Sequence, residues 1–119
     1  MATGRLGAAS LSATTNTVVY TCPANTFTVA TVCIVNRSSS NSPTIRIAVG
    51  PNTAGAATPD NADYIEYDST LTPNGVLERT GIVMDNNQQA GGIGGKYITV
   101  YSSLTNVSVV VMGIETPTD

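Results

Sequence analysis

From Phe27 to Asn36 and from Thr44 to Val49 the chain runs through β-branched residues that fit a pleated surface and fit a helix poorly. The loop RSSSNSP between the two runs is rich in residues that end a regular element and turn the chain. The same texture predicts further strands at Thr17 to Cys22, Tyr64 to Asp68, Val76 to Met84, Lys96 to Ser102 and Val107 to Glu115.

Alternation within these runs predicts which way they face. Ile45, Ile47 and Val49 share one side of their strand, with Thr44, Arg46 and Ala48 on the other, so Arg46 is expected to point away from the core. Ile98 and Val100 likewise oppose Tyr97, Thr99 and Tyr101. The run Val109 to Met112 is apolar on both sides, which a strand tolerates when it is central in its sheet or covered, for instance by a subunit contact. Short strands punctuated by Pro and Gly turns predict an all-β fold: an antiparallel β-sandwich of seven to eight strands, jelly-roll-like or immunoglobulin-like. Residues 1–15 lack periodicity and read as an extended N-terminal arm, with Leu6 and Leu11 as anchors. It either orders on a neighbouring molecule, the favoured reading, or lies along the sandwich. Residues 16–119 form the single sandwich domain. Two long connections, Gly50 to Asp63 and Asp85 to Gly95, are of the kind that carry function or flexibility.

A chain of 119 residues should bury roughly two-thirds of its unfolded surface, enough for a core without a covalent staple. Charged residues make up 11% of the chain and the net charge is −3, with no basic stripe, so nucleic acid is not an expected partner. A surface of Ser, Thr, Asn and Gly with so few charges suits a protein packed against others. The opening MATGRLGAASLSATTNT lacks the apolar run of a signal peptide and no segment is apolar enough to span a membrane, which predicts synthesis in a cytoplasm. If Cys22 and Phe27 flank a hairpin turn, Cys33 falls opposite Asn16, far from Cys22, and both cysteines are expected as buried small residues rather than as a disulfide.

Candidate chemistry is sparse. The chain has no histidine, which removes Ser-His-Asp and Cys-His catalysis and any His-ligated metal, so no enzymatic activity and no cofactor are expected. Asp60, Asp63, Glu66 and Asp68 form an acidic cluster that could attract calcium; the regular strand period puts Glu66 and Asp68 on one solvated face instead. The run Gly91 to Gly95 opens no helix and reads as a flexible loop rather than a phosphate cradle. Glu78 and Arg79 are adjacent, face opposite sides and cannot pair with each other.

Several stretches carry a family resemblance: the opening TGRLGAA, the turn Tyr20 to Ala24, the IEYD run at Ile65 to Asp68, NGVLERTG at Asn74 to Gly81, and the ending VSVVVMGIE. In these the chain resembles small virion structural proteins of tailed bacteriophages, of the kind that infect cyanobacteria and other marine bacteria; its NNQQAGGIGG stretch is longer and richer in glycine than that pattern. The resemblance implies a capsid decoration, or cement, protein made in the host bacterial cytoplasm and located in the virion. Its implied partners are the major capsid protein and copies of itself, as a homotrimer, with a tail, collar, baseplate or fibre component as the alternative. Candidate partner contacts are Arg5, Leu6 and Leu11 in the arm and Arg46, Glu66 and Arg79 on the strands.

Overall fold

The structure, a computed structural model, describes residues 3–50, 59–86 and 96–117. Among these, eight strands follow one another: β1 (Thr3–Leu11), β2 (Thr15–Thr21), β3 (Thr26–Asn36), β4 (Thr44–Gly50), β5 (Tyr64–Thr70), β6 (Val76–Asp85), β7 (Tyr97–Ser102) and β8 (Val107–Pro117), with one short 3-10 turn at Asn61–Asp63. No helix of the described residues is long and apolar enough to cross a membrane.

The strands form two four-stranded antiparallel sheets, ordered β1-β8-β3-β6 and β2-β7-β4-β5. β1 pairs with β8, β2 with β7, β3 with β6 and β4 with β5. That is one long antiparallel ribbon, with its tip between β4 and β5, rolled so that successive pairs fall alternately in the two sheets. Contacts of β3 with β8 and of β4 with β7 close each sheet. Of the two expected topologies this is the jelly roll, an architecture of two interlocking Greek keys.

The core lies between the sheets and is built from alternate positions of the strands. Ala30, Val32 and Ile34 of β3, Ile45 and Ile47 of β4, Ile98 and Val100 of β7, and Val107, Val109 and Val111 of β8 are buried together there. The expected faces hold: Arg46, Tyr97 and Tyr101 lie outside and β8 is central. Val49 is only half-buried, while Ala48 of the opposite face is buried.

Two sequence expectations change. Residues 3–11 of the N-terminal segment are extended and lie along the sandwich as edge strand β1, hydrogen-bonded to β8, with Leu11 buried in the core and Leu6 packed against it. Gly7 sits at an irregularity in β1 where it passes close to β2; a side chain there would run into the carbonyl of Val19. The segment carries no apolar alternation: Gly7 is kept small by this close approach, Ala9 packs against the core and Ala8 faces outward. The second change concerns the turn after Cys22, with Asn25 at φ 53°, which does not close a hairpin. It carries the chain from one sheet to the other, so Cys33 pairs with Glu78 and Val110 rather than standing opposite Asn16. Both thiols are free; Cys22 is buried and Cys33 half-buried on the outer side of its sheet.

Each end of the sandwich is held by hydrogen bonds. At one end the Asn36 amide nitrogen donates to the carbonyls of Asn41 (2.8 Å) and Thr72 (3.0 Å), and its oxygen accepts from the Ser38 N–H at 3.0 Å, tying the β3–β4 loop to the β5–β6 loop. At the other end Cys22 N–H donates to Lys96, Lys96 N–H to Gly50, and Asn25 N–H to Asn86. The flanks of both long connections therefore leave from this same end, beside the β2–β3 turn. Residues 51–58 and 87–95, including Gly91 to Gly95, lie outside the described residues.

Candidate functional site

A sheet presents alternate side chains to its two sides, so once the core side is known the register dictates the composition of the other. On the β1-β8-β3-β6 sheet that outer side is largely apolar, with Thr31, Ser108 and Thr116 set among its hydrophobic residues. Val29 of β3 stands beside Val83 of β6 on one flank and Ile114 of β8 on the other. Val83 is 69% exposed, Val76 60% and Ile114 57%, and Phe27, Val29 and Met112 are also exposed. Six of the eight exposed large hydrophobic residues described thus fall on one face, the exceptions being Tyr67 and Leu104. Val35, Cys33 and Val110 continue the face half-buried. Scattered exposed apolar residues are normal on a protein surface; a contiguous sheet face of them is unusual.

Charge on this face is confined to the flanks. Arg5 projects from β1 on one edge and Glu78 from β6 on the other, both exposed. Arg37 reaches back to donate to Ser10 Oγ at 3.0 Å at one corner, and Asp85, half-buried, stands beside Phe27 at another.

The outer side of the β2-β7-β4-β5 sheet has a different chemistry. Arg46 lies over the ring of Tyr67 at 4.3 Å and over that of Tyr101 at 4.8 Å, while its Nε donates to Asp68 Oδ1 at 2.6 Å. Tyr64 meets Tyr67 edge-on at 4.9 Å. The Asp68 carboxylate holds the guanidinium above its usual pKa, so Arg46 is permanently charged and already satisfied by its own sheet.

This arrangement overturns the expectation that Glu66 and Asp68 share one solvated face. β5 carries extra residues relative to β4, since Ile45 pairs with Ser69 and Ile47 with Glu66, and Asp68 adopts φ 54°. The bulge turns Tyr67 and Asp68 toward Arg46 and leaves Glu66 facing the other sheet. There Glu66 Oε1 accepts from Arg79 Nη1 at 2.7 Å, and its other oxygen accepts from the Ser69 hydroxyl. The Ser69 hydrogen bond, reinforced by Arg79, holds the Glu66 carboxyl below its usual pKa. Arg79 also donates to the Ile65 carbonyl at 3.0 Å. Asp63 caps the 3-10 turn by accepting from Asp60 N–H at 3.0 Å. The acidic cluster is thus split among separate partners, and among the described residues no three His, Cys, Asp or Glu side chains converge as metal ligands.

Of the six candidate contacts, Leu6 and Leu11 belong to the core and its margin, Glu66 and Arg79 bind each other, and Arg46 lies over two tyrosine rings while bonding Asp68. Arg5 stays exposed on the rim of the apolar face. The residues that make that face, Phe27, Val29, Val76, Val83, Met112 and Ile114, were not singled out from the sequence. The available signal was the apolar character of Val109 to Met112 on both sides, a pattern that β3 shares through Phe27, Val29, Cys33 and Val35.

Inside the sandwich, a polar chain lies near the long-connection end. The Tyr20 hydroxyl donates to Glu115 Oε2 at 2.6 Å and stands 2.8 Å from Thr28 Oγ1, which is 3.3 Å from Cys22 Sγ. Burial, then the Glu115 hydrogen bond, raises the Tyr20 phenol far above its usual pKa, and burial raises the Cys22 thiol. A protonated, enclosed thiol is a poor nucleophile, so these groups hold the core together rather than react.

The chain matches no protein-family model, and no curated protein matches it at a significant level.

Proposed function

We propose that this chain is a non-enzymatic structural protein of a bacteriophage virion, a decoration protein that binds the head shell and copies of itself. The observation that supports this reading is the apolar outer face of the β1-β8-β3-β6 sheet, on a protein whose charged residues are only 11% of the chain. Such a face is a liability on a molecule that stays free and an asset on one that ends its life in an assembly. The sequence resemblance to small phage virion proteins supports a phage virion as that assembly. Many modest contacts repeated over a symmetric shell would add up by avidity, without a single strong site.

A second reading, a tail, collar, baseplate or fibre component, is favoured by one observation: the flanks of both long connections leave the sandwich at one end. Loops gathered at one end of a rigid sandwich are a common arrangement for recognition.

The test is the number of copies per virion, counted by quantitative peptide mass spectrometry on purified particles against the major capsid protein. Copies in simple proportion to the capsid protein are expected for decoration. A handful of copies per particle would transfer the protein to the tail, and absence from the particle would end both readings.

A further inference from the structure

We infer that the outer face of the β1-β8-β3-β6 sheet pairs with the same face of a second copy, about a twofold axis running parallel to the strands. This gives the self-contact in the proposed function a geometry, but it rests on the face alone.

The face is graded across its width. Apart from Arg5, the edge strand β1 presents the small side chains Thr3, Ala8 and Ser10, whereas the opposite edge strand β6 presents Val83, Glu78 and Val76. The register links these positions in cross-strand rows: Thr3 with Ile114, Val29 and Val83; Ala8 with Val110, Cys33 and Glu78; Ser10 with Ser108, Val35 and Val76. A twofold axis along the strands keeps each row in place and reverses its order. The large residues of β6 then meet the small ones of β1, and Ile114 meets Val29 of the second copy. The shallow depression between Arg5, Ala8, Ser10 and Val110 receives Glu78 and Val76 of the second copy.

Charge selects the same axis. Arg5 aligns with Thr31 through Met112, and Glu78 aligns with Cys33. The two rows are two residues apart on β3, about 7 Å, within the reach of an arginine. The twofold therefore sets Arg5 of each copy against Glu78 of the other, two charge pairs at the rim of an apolar centre. An axis perpendicular to the strands would stack β6 on β6 and β1 on β1, large residues on large and like charges together. Stacked sheets cross at about 30°, an offset at the rim that the long Arg5 and Glu78 side chains can span.

The size suits a reversible, concentration-dependent pair rather than a permanent one. Four strands span about 19 Å, and the nine residues from Phe27 to Val35 about 30 Å, a footprint of about 600 Å² before side-chain relief is counted. A stable interface takes about 800 Å² of accessible surface per partner. A flat self-complementary face makes a closed pair. The homotrimer implied by the sequence resemblance would have to be built on other surfaces.

Sedimentation of the full chain over a wide concentration range tests this. A monomer–dimer equilibrium is expected, abolished by Ile114→Lys and, where that variant folds poorly, by Val83→Lys at the most exposed position of the face. Arg5→Glu or Glu78→Arg alone should weaken the dimer about tenfold, and the two combined should restore it. A monomer at every concentration, a trimer, a dimer indifferent to Val83→Lys, or a charge-reversed double variant no tighter than its parents would overturn the inference. None of these outcomes bears on copies per virion, so the pairing can fail while the decoration reading stands.

Discussion

Arg79 on β6 and Glu66 on β5 belong to different sheets, and their side chains meet at 2.7 Å across the open edge of the sandwich. β5 and β6 are each the last strand of their sheet, so no backbone hydrogen bond joins them there. The ion pair, with the Arg79 bond to the Ile65 carbonyl, is the polar link across that seam among the described residues.

Because the Glu66 carboxyl titrates below its unfolded value, the stability it contributes is complete above the ordinary carboxylate range. It is lost as pH falls through the folded value. Glu66→Gln should lower unfolding free energy at neutral pH by about 1 kcal/mol, the pair being part-exposed. It should also make the loss of stability on acidification shallower than in the parent. Urea unfolding at a series of pH values checks both.

Asn36 is 1% exposed and joins two loops through both ends of its amide. Asn36→Leu leaves the Asn41 and Thr72 carbonyls without that donor and should cost about 2 kcal/mol. The measurement is the shift of the urea midpoint at unchanged slope.

Tyr20 is held neutral by burial and by its bond to Glu115. Its folded pKa lies above the unfolded value, so its contribution is present below about pH 10 and lost as pH rises beyond it. Tyr20→Phe should destabilise the protein at neutral pH by about 1 to 2 kcal/mol. Its alkaline loss of stability should be smaller than that of the parent, as followed by circular dichroism during base titration in denaturant.

The two cysteines should separate cleanly toward a thiol reagent. Cys33, half-buried on the outer face, should react in the native protein at low concentration, and Cys22, fully enclosed, only after unfolding. Mass spectrometry of labelled peptides assigns each. Protection of Cys33 at high protein concentration would accompany pairing of the face.

The strand set from β2 to β8, the inward faces of β4 and β7 and the outward placement of Arg46 were legible because they are local. A period of two, β-branched composition and turn residues are written along the chain itself. β1 was not legible as a strand. Its Gly7 answers to the passage of β2 behind it, a contact between distant residues that alternation cannot register.

Which strands neighbour one another was likewise decided by the tertiary structure. The short turn after Cys22 looks the same whether the chain reverses within a sheet or crosses to the other, and only pairing with β6 and β8 makes it a crossing. The bulge at Asp68 separated Glu66 from Asp68, and the rolled ribbon brought Glu66 to Arg79 and set Val29, Val83 and Ile114 side by side. An all-β protein with an apolar excess and little charge is already written in the chain, because composition and periodicity act residue by residue. Where that excess gathers into a face is a matter of register between distant strands, and register exists only once the sheets have formed.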